Sequence, residues 1–449
     1  MSIPSHSRPQ RSPTPHSYRV IETQAPAERA YLVALDLPRS RFDPDDSLDE
    51  LAALVAASGT DVVGKSVQRR RSPDPHTWMG KGKVSELGVA MKAANADLLV
   101  TDDELSPQQQ RGLEGALNIR VVDRSAVILD IFARHAQTKE GRVQVELAQL
   151  EYMRPRLRGI WKGLSRLGGG IGTRGPGESL LETDRRVVER RLLDLKARLD
   201  EVGKQRERSR RSRGKEGLFL AALVGYTNAG KSTLMNALSN AGVLVADQPF
   251  ATLDPTTRRI ELPGGTVLLL SDTVGFVNKL PPTLIAAFRA TLEELNDADL
   301  LVHVVDTPHP NVHERMLVVR ETLASLKLAG RKSQLVFNKS DRLRGPEGDA
   351  LREALGAEFP DAVFVSATTG EGIDALRVRL GELAASEWKH VKVTVPYSSG
   401  ALVQRVRERG ALRGTGYGEK GIEIEADVPA ELASELRQHA AIRVRKNGS

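Results

Sequence analysis

The segment 218–233, LFLAALVGYTNAGKST, constrains the fold of this chain more than any other stretch. A short apolar run of strand length enters Gly225-Tyr226-Thr227-Asn228-Ala229-Gly230-Lys231-Ser232-Thr233 without a break, and STLMNALS continues with helical spacing. Strand, glycine loop and helix in that order make an anion cradle. Gly225 and Gly230 let the backbone curl so that successive N–H groups face a phosphate, and the following helix adds its positive end. Lys231 reaches the outer phosphates, and the Ser232 hydroxyl is a hard-oxygen ligand for Mg2+.

Two later motifs select the base. Asn338-Lys339-Ser340-Asp341 follows the strand-like QLVF, and the Asp341 carboxylate can accept from both N1–H and the exocyclic amine of guanine. Adenine would leave that acceptor facing the wrong groups. Asn338 is expected to fix the loop and the Lys339 stem to cover the ring, while Ser366-Ala367-Thr368, after AVFV, is placed to offer backbone N–H groups to the guanine oxygen. The ligands expected are GTP and GDP.

Two loops between these motifs can sense the γ-phosphate. In Asp272-Thr273-Val274-Gly275-Phe276, Asp272 is expected to hold the Mg2+ shell through water and the Gly275 N–H to reach the γ-phosphate. Ahead of it, Phe250-Ala251-Thr252-Leu253-Asp254 offers Thr252 as the second hydroxyl ligand to the metal, with Thr256 and Thr257 as competitors. Lys231, Thr252 and Gly275 are the candidate catalytic groups. Phe276 stands where many switch GTPases carry a water-orienting Gln, and a phenyl ring cannot hydrogen-bond to water. Slow intrinsic hydrolysis, completed by a partner, is therefore expected. Asn228 matches a position that binds K+ in some related GTPases; a bracing role for its amide is equally open.

The remainder of the 449 residues is long enough for about two more domains. Residues 1–25 form a polar, Pro- and Ser-rich tail without an apolar signal segment, and no apolar run approaches the roughly 20 residues of a membrane span, so a cytoplasmic protein is expected. The absence of Cys excludes disulfides and thiolate metal sites. From 26 to 136, five-residue apolar runs alternate with amphipathic stretches, the pattern of a small parallel α/β domain. From 137 to 214, one apolar seam (Val143, Leu147, Leu150, Leu157, Ile160, Leu164, Leu167) and a second (Leu181, Val188, Leu192, Leu195, Leu199, Val202) predict an antiparallel helical hairpin, kinked or broken at Pro155 and tipped by the glycine loop Leu167–Glu178. A nucleotide-binding domain of mostly parallel sheet with helices on both faces fills 215–389, and 390–449 reads as a small α+β domain.

Charge is concentrated in one place. Met153 to Lys215 carries 19 Lys and Arg against 8 Asp and Glu, an excess of 11 in a chain whose total is +7. Arg154, Arg156, Arg158, Lys162, Arg166 and Arg174 lead to the glycine loop, a prong suited to phosphate and RNA shape. GKGK, Gly80 to Lys83, fits a second nucleotide site, an RNA-backbone contact or a plain helix start. His309 and His313 share helical spacing, but Pro310 argues against a metal pair.

The guanine-site motifs in series, with FATLDPT, resemble the translation-factor-like branch of P-loop GTPases, and GYTNAGKS with DTVGF is similar to the HflX family. VGKSVQRRRSPDPHTWMGKGKVSEL, DRSAVILDIFARHAQTKEGRVQVELAQL and GGGIGTRGPGESLLETDRR extend the resemblance over roughly residues 30–390. It implies a monomeric cytosolic GTPase that docks on the large ribosomal subunit, on ribosomal RNA and proteins, and dissociates stalled or stressed ribosomes. The residues themselves also fit a GTP-stabilised anti-association module or an assembly or RNA-remodelling factor. Sedimentation with mature ribosomes separates these.

Overall fold

Tyr31 to Leu35 is an unbroken apolar run, the pattern of a strand covered on both faces, and it lies at the heart of a parallel sheet. The computed structural model describes residues 28–38, 40–156, 186–204, 219–239, 248–250, 252–263, 266–281, 284, 294–386 and 388–439. In the N-terminal region, β1 (Arg29–Asp36), β2 (Asp61–Arg69), β3 (Leu98–Thr101) and β4 (Arg120–Asp123) form a four-stranded parallel sheet in the order β2-β1-β3-β4. Helices α1 (Pro44–Ala57), α2 (Lys81–Ala93) and α3 (Pro107–Leu117) make the crossovers, and α4 (Arg124–His135) follows the last strand. Local sequence sets their ends. Asp43 caps α1 ahead of Pro44, and Ser106 with Gln109 forms a reciprocal capping box ahead of α3.

Helix α5 (Lys139–Met153) ends just before Pro155, as expected. It packs against a second helix, 186–204, through Leu147, Leu192 and Leu195, with Val143, Leu150, Val188 and Leu199 around them. Arg191–Glu146 and Lys196–Glu151 ion pairs border this seam. The expected glycine loop Leu167–Glu178 and the Arg-rich stretch 205–215 lie outside the described residues. Arg156, expected to face RNA, is instead used just past the end of α5, where the chain meets the N-terminal sheet. Its guanidinium lies 3.5 Å from the Tyr152 ring centroid and donates to Gln110 Oε1, to the carbonyls of Tyr152 and Leu105, and to Asp123.

The second sheet has six strands in the order β10-β9-β8-β5-β7-β6. Strands β5 (Phe219–Gly225), β7 (Val267–Asp272), β8 (Leu300–Asp306), β9 (Ser333–Asn338) and β10 (Val363–Phe364) are parallel, and β6 (Thr256–Glu261) runs antiparallel to β7 at one edge. A three-stranded antiparallel sheet of β11 (Lys389–Val395), β12 (Ala411–Gly418) and β13 (Gly421–Val428), with helices Gly400–Arg409 and Ala430–His439, closes the described chain. Among the described residues no helix is long and apolar enough to cross a membrane.

One apolar cluster crosses the boundaries that the sequence pattern draws between the N-terminal domain, the hairpin and the nucleotide-binding domain. Leu54 from α1, Ile128 and Phe132 from α4 and Val145 from α5 share it with Val224, Phe250, Leu253, Phe276 and Val277. Phe132 and Phe250 meet edge to face, with centroids 4.8 Å apart.

Candidate functional site

At the carboxyl ends of β5, β7 and β9 a cavity of about 240 Å³ opens between the loops. Its floor is the glycine loop: Thr227, Asn228, Gly230, Lys231, Ser232 and Thr233 line it. Gly230 has φ +88°, and a Cβ there would overlap the Asn338 amide, so glycine is required twice over. Asn228 also adopts the left-handed region, φ 58°, which Asn tolerates better than most residues. Its carbonyl accepts from Lys339 Nζ at 2.8 Å.

Lys231 is buried, and its Nζ donates to the carbonyls of Tyr226 (2.9 Å) and Gly225 (3.3 Å). Burial pulls its ammonium down from its ordinary value to about 8, against the opposing pull of Asp272. A phosphate placed in the cradle supplies the compensating negative charge.

The candidate metal ligands converge. Ser232 Oγ lies 2.9 Å from Thr252 Oγ1 and donates to Asp272 Oδ2 at 2.6 Å, and Thr252 Oγ1 donates to the same carboxylate oxygen at 3.0 Å. Asp272 Oδ1 is buried with no hydrogen-bond partner among the described residues. Two hydroxyls and a carboxylate with an unsatisfied oxygen are a hard donor set that fits Mg2+. Thr256 and Thr257 start β6, and Thr257 donates to Ser271, so Thr252 is the hydroxyl of its loop that meets Ser232. Gly275 passes so close that a Cβ would stand 2.8 Å from Thr227 Cα and 2.9 Å from Lys231 Nζ.

The base end is built around Asn338. Its Nδ2 donates to the Ala229 carbonyl at 2.9 Å and its Oδ1 accepts from the Ala367 N–H at 3.0 Å, tying three loops together. The Ser366–Thr368 segment was expected to offer backbone N–H groups to the guanine oxygen; of these, the Ala367 N–H braces Asn338. Asp341 lines the cavity with Lys339, Ala367 and Thr368, and Ser366 Oγ donates to its Oδ1 at 2.6 Å, orienting the carboxylate. Lys339 Nζ also pairs with Asp306 at 2.7 Å, which holds its stem over the pocket.

Several residues expected at the nucleotide point elsewhere. Leu253 and Val274 are buried in the apolar cluster shared with α4. The Asp254 carboxylate turns away to the start of α5, where it accepts from the N–H groups of Gln137 and Thr138. The Tyr226 side chain leaves the cradle toward α1; its hydroxyl accepts from the Asn278 N–H at 2.8 Å, and burial, together with the Glu50 carboxylate, pushes its phenol far above the ordinary value. Ser340 is buried and donates to Glu371 at 3.4 Å. Phe250 and Thr273 line the cavity, and Ala251 lies outside the described residues. Gln248 and Arg342 also line it; Arg342 directly follows Asp341, and that adjacency was the signal available.

Phe276 is 2% exposed and faces the apolar cluster, not the cavity. Its backbone pairs with the cradle: the Phe276 N–H donates to the Gly225 carbonyl at 3.0 Å, and the Thr227 N–H to the Phe276 carbonyl at 2.6 Å. Gly80 to Lys83 form the start of α2, and the Gly80 N–H is taken by Gln68. His309 accepts from the Asn311 N–H while His313 meets Glu358, and no group of three or more His, Cys, Asp or Glu side chains placed to hold a metal occurs among the described residues.

Three family models match in succession: "GTP-binding GTPase N-terminal" over residues 45–133, "GTP-binding GTPase Middle Region" over 135–213, and "50S ribosome-binding GTPase" over 220–339. The GTPase HflX of Lacrimispora saccharolytica is 46% identical over 421 residues, covering 94% of this chain and 98% of its own length. That of Escherichia coli is 42% identical over 385 residues, covering 86% and 89%. Among solved structures, a GTP-binding protein from Sulfolobus solfataricus in complex with GDP covers 80% of this chain and 99% of its own, at 23% identity and a TM-score of 0.42. With a guanine-nucleotide cradle at its centre and relatives matching nearly end to end, the chain belongs to the HflX family and is a GTPase.

Proposed function

We propose that this GTPase docks on the large ribosomal subunit and uses GTP hydrolysis to time its release after dissociating stalled or stressed ribosomes. The observation that carries the reading is the turned-away Phe276: the cradle, base loop and metal ligands are assembled, but the position that commonly orients water faces a hydrophobic core. A partner that completes the site supports a reaction timed by docking. The description of the family model over 220–339 as ribosome-binding supports the large subunit as that partner.

Mg2+ held by Ser232 and Thr252, with Asp272 holding its shell through water, would neutralise charge on the β- and γ-phosphates. Lys231 binds the same oxygens, Asp341 selects guanine, and the Gly275 N–H holds the γ-phosphate until cleavage frees its loop. The Asn228 side chain lines the cavity, where an amide oxygen is a suitable K+ ligand, while its left-handed backbone is an independent reason for Asn; hydrolysis in K+ against Na+ separates the two. A cytoplasmic monomer is consistent with these roles.

The test is GTP turnover by the full chain with and without purified large subunits, alongside sedimentation of mature ribosomes. Stimulation of about tenfold or more, with loss of intact ribosomes, is expected. Turnover indifferent to large subunits would sink the docking reading. Action on precursor particles alone would replace it with an assembly role.

A further inference from the structure

We propose that the first helix of the hairpin supplies positioning residues for GTP hydrolysis: Thr138 and Gly141, at the start of α5, hold the Asp254 carboxylate and through it keep Thr252 at the metal site. This rests on the reading of Ser232 and Thr252 as the Mg2+ ligands, with Asp272 acting through water, and it concerns groups that touch neither nucleotide nor metal.

Asp254 stands two residues after Thr252, yet its carboxylate is fully used 117 residues back along the chain. Oδ2 accepts from the Gln137 and Thr138 N–H groups, both at 2.8 Å, and Oδ1 accepts from Thr138 Oγ1 at 2.5 Å. The same Thr138 hydroxyl caps α5 by accepting from the Gly141 N–H at 2.9 Å. One hydroxyl therefore serves both the helix and the loop. A negative group at a helix N-terminus is also favoured by the exposed N–H dipoles there.

Gly141 is the second sign that this contact is built in. Glycine is a poor choice within a helix, where alanine is favoured. A Cβ at 141 would overlap Asp254 Oδ1 and approach Thr138 Oγ1 to 3.2 Å, so the side chain is missing where the carboxylate docks. Between the two ends of the lever, Leu253 is buried in the shared apolar cluster, and Phe250 before it rests on Phe132. The Thr252 loop is thus held on both sides by α4 and α5. With only Leu253 between them, displacement of Asp254 withdraws Thr252 from the Ser232–Asp272 pair.

The test uses the full chain in four forms: wild type, Gly141→Ala, Thr138→Val and Thr138→Ser. Two quantities are read: the Mg2+ dependence of GTP turnover, and the affinity for a fluorescent GDP without metal. Gly141→Ala and Thr138→Val are expected to need roughly tenfold more Mg2+ for half-maximal turnover, the size of effect typical when an outer partner of a ligand is lost. Their metal-free GDP affinity should stay within about twofold of wild type, because Lys231 and Asp341 are untouched. Thr138→Ser keeps both hydrogen bonds and should behave as wild type. Should Gly141→Ala lower the melting temperature, the Thr138 pair carries the test alone, since it leaves residue 141 unchanged. A Mg2+-dependent wild type with unaltered Thr138→Val overturns the clasp. Equal loss of metal-free GDP affinity does so too, by showing general damage. A wild type indifferent to Mg2+ overturns the metal reading underneath it.

Discussion

Lys231 shows how one side chain records the state of the cradle. Its buried ammonium titrates near 8 without a phosphate beside it, and a bound phosphate favours the charged form. The sign follows from linkage: below pH 8 the lysine is already protonated, whereas between 8 and its ordinary value near 10.5 binding must take up a proton. GDP affinity is expected to be flat below pH 8 and to fall by up to about tenfold per unit above it. Calorimetry at pH 9 in two buffers of different ionisation enthalpy measures the uptake directly, and no buffer dependence would refute it. The places of Lys231, Ser232, Asn338 and Asp341 around the cavity were legible in the sequence because each stands at a fixed offset from a glycine or a strand end. The directions of Leu253, Asp254 and Tyr226 were not. They depend on what α1, α4 and α5 place beside the loop, and nothing within five residues of them encodes that.

At the scale of elements, strands and helices followed their periodicity closely. β1 and β5 are buried apolar runs, the capping box at Ser106 starts α3, and Pro155 stands just past the end of α5. Arg156 departed from expectation because a basic residue after a helix is an RNA contact or an ion-pair partner according to whether a carboxylate such as Asp123 waits nearby. The contact of α4 with the Phe250 loop was equally hidden, being a meeting of two isolated phenylalanines. Phe132 is 2% exposed, so Phe132→Ala should cost about 3–5 kcal/mol in denaturant unfolding. A loss below about 1 kcal/mol would show that the pair is not formed in solution.

Across the whole molecule, a buried charge network joins the N-terminal region to the loop after Phe276. Arg124, 1% exposed, pairs with Glu50 and with Asp102 at 2.7 Å, and Lys279 reaches Asp102 at 2.5 Å and Asp103 at 2.6 Å. Burial raises the Asp102 carboxyl, but Arg124 and Lys279 together outweigh it and hold it below its ordinary value. A depressed carboxyl stabilises the fold above the unfolded value near 4 and loses that contribution as pH falls below it. Arg124→Met should therefore cost about 3–5 kcal/mol at pH 7 by leaving Asp102 and Glu50 poorly compensated. The gap between variant and wild type should narrow below about pH 4, and a gap independent of pH in thermal melts would argue against the network.

The apolar cluster that joins Phe132 to Phe250, Leu253 and Phe276 has a consequence for biosynthesis. Translation lays down α4 and the start of α5 more than a hundred residues before the loops that cover them, as the 117-residue reach from Gln137 to Asp254 illustrates. At about 5–20 residues per second the nascent chain displays a bare, greasy flank for roughly 6–24 seconds, an interval in which a chaperone is the natural companion.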